Sequence, residues 1–324
     1  MQKAAQKWGI DMEIFKAVVY LLLGFVLLIK GADCFVDGSS SVAKRLHVPS
    51  IVIGLTIVAM GTSLPECAVS VTASINNNNT LAISNAIGSN IFNLMVVCGA
   101  CALFAPLAVN TKVFKKEFPF SIICAILLLG LGYLQMELGH IDSIILVTIF
   151  VVYLIWMIIS AKKARTDTSQ KEDYKVIPVW KTILYIIGGA VAIKYGGDFV
   201  VDGASVVAGK LGLSQTLIGL TVVALGTSLP ELVTSIVAAK KNEVDMALGN
   251  VIGSNIFNIL FVLGISGVIS PVAFMMDNII DIVILIIMSI FVWVFGWTKK
   301  EISRIEGIIM LLMYVVYLVY ICIR

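Results

Sequence analysis

The sequence predicts an all-α membrane protein with ten transmembrane helices in two inverted five-helix repeats. Three observations predict it. Hydrophobic residues make up 59% of the 324 residues and charged residues only 13%, about half the charged share of ordinary soluble proteins. Ten segments are apolar over the roughly 20 residues needed to cross a hydrocarbon core about 30 Å thick. The second half of the chain also repeats the first at a fixed offset.

Mean hydropathy is +1.02, so there is too little polar surface to coat a globule in water, and a lipid bilayer is the expected surrounding. The ten segments cover roughly 14–43, 50–74, 80–103, 117–135, 141–160, 180–208, 215–239, 245–270, 278–297 and 303–323. The second, third, seventh and eighth contain Gly, Pro, Asn and Glu. They are apolar on average and locally broken. The first run follows a polar stretch and carries no small-residue cleavage site, so it is expected to be retained as a helix.

Lys and Arg placement sets the topology. Lys3, Lys7, Lys16, Lys210 and Arg324 share a side with both termini. Lys44, Arg45, Lys112, Lys115, Lys116, Lys162, Lys163, Arg165, Lys171, Lys175, Lys181, Lys240, Lys241, Lys299, Lys300 and Arg304 fall on the other. Sixteen against five makes the second side cytoplasmic and both termini extracellular, with the cell membrane as the expected location. The polar stretch 161–179 then reads as a cytoplasmic linker between a first half at 14–160 and a second at 180–324.

Composition excludes several function classes. The net charge of +3 is scattered in short loops, and nucleic acid would need a concentrated basic face. Two histidines cannot build a histidine metal cluster. The six cysteines lie in or beside apolar segments and read as small buried hydrophobes. Cys98 and Cys101 have redox-motif spacing without the soluble βαβ context that such chemistry uses. No cofactor and no protein partner is implied.

Residues 31–93 align without a gap with 196–258, at an offset of 165. Ile53-Gly-Leu-Thr-Ile-Val-Ala-Met-Gly-Thr-Ser-Leu-Pro-Glu66 matches Ile218-Gly-Leu-Thr-Val-Val-Ala-Leu-Gly-Thr-Ser-Leu-Pro-Glu231. Asn85-Ala-Ile-Gly-Ser-Asn-Ile-Phe-Asn93 matches Asn250-Val-Ile-Gly-Ser-Asn-Ile-Phe-Asn258. With five spans per half, the second half enters the membrane from the opposite side. Inverted repeats of this kind place a substrate site at mid-membrane, where broken helices from both halves meet.

Glu66 and Glu231 carry most of the functional signal. A carboxylate inside a span costs several kcal/mol and faces a cavity or a partner. An intramembrane ion pair is the structural alternative. The cations inside spans, Lys30 and Lys194, are closer in sequence to Asp33, Asp37, Asp198 and Asp202, which are expected to absorb them. Two matched glutamates without a fixed partner point to an exchangeable cation. Thr62 with Glu66, and Thr227 with Glu231, are four apart and are expected to share a helix face. Ser89 with Asn93, and Ser254 with Asn258, repeat that spacing. Interhelical hydrogen bonding is the alternative use of these polar groups.

Pro65 and Pro230 lack an N–H, which frees the carbonyls of Gly61 and Gly226 four residues back. A packing kink is the alternative reading. Every donor is an oxygen, which suits hard cations such as Ca²⁺ and Na⁺. Two ionised glutamates balance one Ca²⁺ or two Na⁺.

The paired Gly-Thr-Ser-Leu-Pro-Glu and Gly-Ser-Asn-Ile-Phe-Asn motifs resemble the two α-repeats of the sodium/calcium exchangers, in the calcium/cation antiporter superfamily. The short linker is most similar to prokaryotic members. The resemblance implies a cluster of four ion sites. It assigns ligand roles to Ala59 (through its carbonyl), Thr62, Ser63, Glu66, Ser89 and Asn93, and to Ala224 (through its carbonyl), Thr227, Ser228, Glu231, Ser254 and Asn258. Some relatives carry Asp at the position of Asn258, where an acid accompanies potassium co-transport; Asn here argues against potassium dependence.

The expected function is therefore Na⁺/Ca²⁺ antiport by alternating access, with the first and sixth spans sliding as a gate over spans 2, 3, 7 and 8. The alternative is H⁺/Ca²⁺ antiport through the same two glutamates. A cation channel would differ in lacking saturable counterflow. An enzyme is not expected, because no His base or catalytic pair lies outside the oxygen cluster.

Overall fold

The computed structural model describes residues 2–108, 114–164, 177–212 and 224–323. The chain is almost wholly helical there. In order, the helices are α1 (Gln2–Leu46), α2 (Ser50–Thr62), α3 (Leu64–Ile75), α4 (Asn79–Phe104), α5 (Glu117–Gln135), α6 (His140–Ala164), α7 (Val179–Lys210), α8 (Ala224–Thr227), α9 (Leu229–Lys240), α10 (Val244–Ile269), α11 (Met276–Lys299) and α12 (Arg304–Ile323).

Among the described residues, eight helices are long and apolar enough to cross a membrane, and the bent pair α2 and α3 makes a ninth. The start of the seventh expected span lies outside the described residues, and α8 and α9 are its described part. Most of the expected 161–179 linker also lies outside them. Its ends do not: α6 runs on to Ala164, and Val179 opens α7.

Helix ends follow local chemistry. α1 extends well before the first apolar run and stops where His47 takes a left-handed φ of 55° ahead of Pro49. Lys44 and Arg45 occupy its last turn, where the helix dipole favours cations. The repeat-related position of His47 is Gly212, also at positive φ (87°). The tight turns after α3 and α9 use Asn77 and Asn242 at φ 57° and 60°, a conformation that Asn tolerates better than most residues.

The expected breaks are sharper than kinks. Ser63 (φ −84°, ψ 10°) leaves the helical region, and α2 and α3 meet at a 49° bend. Ser228 (φ −92°, ψ 4°) does the same between α8 and α9. Pro65 and Pro230 then sit in the first turn of the new helix, where a missing N–H does no harm. Thr62 and Glu66 therefore belong to different helices, and so do Thr227 and Glu231. Their one-face expectation does not hold as stated.

Among the described residues, α2, α4 and α10 each contain a π-helical turn, a feature that frequently marks functional sites and that no sequence spacing predicts. One runs Gly54–Val58 inside α2. The others run Asn93–Val97 in α4 and Asn258–Val262 in α10, each opening on a motif asparagine.

Close packing rests on small residues, as membrane helices require. α1 and α7 lie antiparallel along a seam of glycines spaced by seven, Gly24 and Gly31 against Gly196 and Gly189. A methyl group on Gly196 would lie 2.9 Å from Gly24 O, and one on Gly189 2.8 Å from Gly31 O. α2 crosses α10 as tightly: a methyl on Gly249 would meet Ile51 O at 2.7 Å. The all-α expectation needs one amendment. Two antiparallel clips of two residues per strand, β1 (Leu107–Ala108) with β4 (Glu301–Ile302) and β2 (Glu137–Leu138) with β3 (Val272–Ala273), join loops of opposite halves.

The outside of the bundle is apolar. Phe15, Leu22 and Val26 on α1, Ile141 and Ile155 on α6, and Leu312 and Val316 on α12 are all exposed. Surface of this kind is stable against lipid, not water. The polar residues run the other way, and α3, α4, α9 and α10 carry theirs buried at the centre.

Candidate ion-binding site

α3 and α9 both start inside the protein. Glu66 and Glu231 lie in their first turns and are completely buried. The backbone N–H groups at a helix start carry the positive end of its dipole, which favours a carboxylate there. The two breaks thus place two helix N-termini and two acids at the core.

The halves interlock at these acids. Ser63 Oγ donates to Glu231 Oε1 at 2.7 Å, and Ser228 Oγ lies 3.1 Å from Glu66 Oε1. Each serine sits at a helix break and reaches the glutamate of the other half. Ser228 Oγ is also 3.1 Å from Ser89 Oγ, bringing α4 into the same cluster. Thr62 Oγ1 reaches Val58 O at 3.1 Å, Ala59 O at 3.3 Å and Asn250 Oδ1 at 3.1 Å. Its single proton serves one of these at a time. Ala59 O also accepts the Ser63 N–H at 3.0 Å. Thr227 closes α8 and is partly buried, and Ala224 is the first described residue of that helix.

Several buried atoms here have no hydrogen-bond partner. They include Glu66 Oε2, Glu231 Oε2, Ser254 Oγ, Asn258 Oδ1, Asn255 Oδ1 and both amide atoms of Asn93. Buried polar atoms are nearly always paired, so a concentration of unpaired ones requires an explanation. All but one are oxygens, and all but Asn255 Oδ1 belong to residues expected to bind the ion.

Asparagines and serines that the sequence reading left without a role support these ligands. Asn85 Nδ2 donates to Glu66 O (3.2 Å) and Ser70 Oγ (2.9 Å). Its repeat mate Asn250 Nδ2 reaches Glu231 O (3.5 Å) and Ser235 Oγ (2.9 Å). At the centre, Asn90 Nδ2 donates to Asn255 O at 3.2 Å and Asn255 Nδ2 returns the bond to Asn90 O at 3.1 Å. Their recurrence at one spacing in both motifs was the available signal.

The aspartates divide. Lys194 pairs with Asp198 within α7, at 2.6 Å, as expected. Asp33 and Asp37 do not take Lys30. They meet Lys241 at the end of α9, Asp37 Oδ1 at 2.7 Å and Asp33 Oδ1 at 3.4 Å. Lys241 is far from both aspartates in sequence and reaches them because the end of α9 packs beside α1. Among the described residues no group of three His, Cys, Asp or Glu could hold a metal, so any cation here relies on hydroxyl, amide and carbonyl oxygens beside the two glutamates. The cysteines form no disulfide among the described residues, and Cys98 and Cys101 are buried.

The family model "Sodium/calcium exchanger protein" matches residues 16–159 and 181–323. A putative antiporter, CaxA, of Alkalimonas amylolytica is 38% identical over 93% of this chain and 97% of its own length. The sodium/calcium exchanger MaX1 of Methanosarcina acetivorans is 33% identical over 92% and 96%. The solved structure of the sodium-calcium exchanger NCX_Mj soaked with Na⁺ and Sr²⁺ superposes with a TM-score of 0.82 at 35% identity, covering 94% of this chain and 97% of that one. On the match of both halves, this multi-pass membrane protein belongs to the sodium/calcium exchanger protein family.

Proposed function

We propose that the chain is a Na⁺/Ca²⁺ antiporter that carries both ions through one shared mid-membrane site by alternating access. The observation that carries this reading is the set of unpaired buried oxygens on Glu66, Glu231, Asn93, Ser254 and Asn258. A hard cation satisfies such atoms, and two carboxylates neutralise one Ca²⁺ or two Na⁺. The remaining ligands are Thr62, Ser63, Ser89, Thr227 and Ser228, with the Ala59 and Ala224 carbonyls. Their hydroxyls add neutral oxygens, which Na⁺ and Ca²⁺ use and a proton does not need.

The cross-half bonds Ser63–Glu231 and Ser228–Glu66 make the site a joint property of both repeats. A site built that way suits alternating access, because ion binding ties together the parts that must move in concert. The glycine seam supports a sliding pair: at Gly24, Gly31, Gly189 and Gly196 the backbones of α1 and α7 approach each other directly. Exchange of more than two Na⁺ per Ca²⁺ would move net charge, worth about 2.3 kcal/mol per charge per 100 mV. In the cell membrane both termini lie outside and the linker faces the cytoplasm, on the strength of the Lys and Arg bias.

Uptake of ⁴⁵Ca²⁺ into proteoliposomes under imposed Na⁺, K⁺ or H⁺ gradients tests the reading. Uptake driven by Na⁺ alone is expected. Uptake driven by H⁺ and indifferent to Na⁺ replaces it with H⁺/Ca²⁺ antiport. For orientation, a cysteine at Ser169, in a chain stripped of native cysteines, should resist impermeant thiol reagents in intact cells. Labelling as fast as at an amino-terminal cysteine reverses the topology.

A further inference from the structure

A side-chain amide has a cation-attracting end and a cation-repelling end, and its rotation decides which faces an ion. Asn93 and Asn258 hold equivalent places in the two halves, yet they differ. Asn258 Nδ2 donates to Asn90 Oδ1 at 3.1 Å, and its Oδ1 is left buried without a partner. Asn90 is itself fixed, because its Nδ2 is engaged with Asn255 O at 3.2 Å, which aims its Oδ1 at Asn258. The mirror-image tether would join Asn93 Nδ2 to Asn255 Oδ1. Both of those atoms are unpaired. The backbone-directed bonds of Asn90 and Asn255 are nevertheless nearly identical, at 3.2 and 3.1 Å. The scaffold is symmetric and the tether is not.

We propose that Asn90 is a positioning residue for ion binding: by holding the amide nitrogen of Asn258 it presents the Asn258 oxygen to the cation, while Asn93 has no such holder and is oriented by the cation itself. The inference rests on the shared-site reading above and adds to it a division of labour between the two asparagines. Pre-orienting a ligand removes the ordering cost that binding would otherwise include. The tether thus favours the divalent ion, which draws most on each fixed oxygen, and the loose Asn93 lets the cluster adapt to Na⁺.

The test compares Asn90→Ala with Asn255→Ala. Each loses one cross-half bond to backbone, and only Asn90→Ala loses the tether. Half-saturating Ca²⁺ for exchange is expected to rise about tenfold in Asn90→Ala and less than about threefold in Asn255→Ala, the difference being one hydrogen bond's worth. Maximal flux at saturating Ca²⁺ should stay within about twofold of the parent in Asn90→Ala, since a tether acts on affinity. In an Asn258→Ala background, the Asn90 substitution should add no more than the loss of under about threefold expected of Asn255→Ala, because only its bond to Asn255 O remains to be lost. Asn90→Ser, too short to reach Asn258 but still polar, makes the same comparison if Asn90→Ala does not fold. Equal effects at Asn90 and Asn255, or a full Asn90 effect of about tenfold that persists without the Asn258 amide, overturn the proposal. Absence of saturable Ca²⁺ flux in the parent is a different failure, which removes the shared-site reading and this inference with it.

Discussion

Ser63 Oγ lies 2.7 Å from Glu231 Oε1, and Ser228 Oγ lies 3.1 Å from Glu66 Oε1. These crossed bonds join the halves of the chain where the carboxylates are buried. Each occupies one oxygen of a glutamate and leaves the other unpaired. Ser63→Ala and Ser228→Ala should therefore weaken Ca²⁺ without removing the site's charge. Half-saturating Ca²⁺ for exchange is expected to rise by about ten- to 150-fold in each, the range for a hydrogen bond to a charged group. The Thr variants should recover part of the loss. Parental affinity in both Ala variants would show that the crossed bonds are only packing.

The glycine seam gives a stability prediction. A methyl on Gly31 would lie 2.9 Å from Ala192 Cβ and from Ile193 N, whereas one on Gly188 would meet nothing within 4 Å. Gly31→Val should lower the melting temperature of the purified protein, at about 1–3 kcal/mol for overpacking, and slow exchange. Gly188→Ala should melt at or above the parental temperature, because Ala is the better helix former. Equal melting of the two variants would contradict the seam.

Lys241 ties α9 to Asp33 and Asp37 of α1. The repeat mate of Lys241 is Asn76, so the related end of α3 offers Asp198 and Asp202 no lysine. Lys241→Asn makes the two ends alike. The pair is partly exposed and contributes less than about 1 kcal/mol, so melting should barely change. Exchange should become about two- to fivefold faster as α1 separates more readily from α9. Combining Lys241→Asp with Asp37→Lys should restore the parental rate. A rate unchanged in Lys241→Asn would mean that the ion pair does not restrain the moving step.

Asn258 bears on the driving ion. With an amide there, Na⁺-driven Ca²⁺ flux should be indifferent to K⁺. Asn258→Asp adds a third carboxylate, and like charges this close need a counter-charge to remain ionised together. Ca²⁺ flux in the variant should then depend on K⁺ or become steeper with pH. Initial rates across pH, with and without K⁺, decide between these outcomes. Superimposable profiles would place Asn258 outside the ion path.

Much of this was legible in the sequence because it rested on periodicity and repetition. The offset of 165 found the repeated motifs of the two halves, and burial of Glu66 and Glu231 followed from carboxylates amid apolar residues. Pro65 and Pro230 announced a disturbance, but not that the helices would break at Ser63 and Ser228 or that these serines would bond across the repeats. Contacts between halves are set by how helices cross, which no linear spacing records. The Lys241–Asp37 pair and the β clips between loops were hidden for the same reason. The π-turns at Asn93 and Asn258 leave no compositional trace, since Asn-Leu-Met-Val-Val and Asn-Ile-Leu-Phe-Val also suit an ordinary α-helix.

The central claim is that Glu66 and Glu231 together hold the transported ion. It is tested most directly by Na⁺-gradient-driven ⁴⁵Ca²⁺ uptake in proteoliposomes holding the parent, Glu66→Gln or Glu231→Gln. Each substitution keeps the shape of the side chain and removes half of the site's negative charge, with folding checked by melting and size-exclusion profile. Parental uptake should saturate with Ca²⁺ and fall at least about a hundredfold in each variant, the scale of losing one of two charges at a buried site. Near-parental uptake in either folded variant would contradict it.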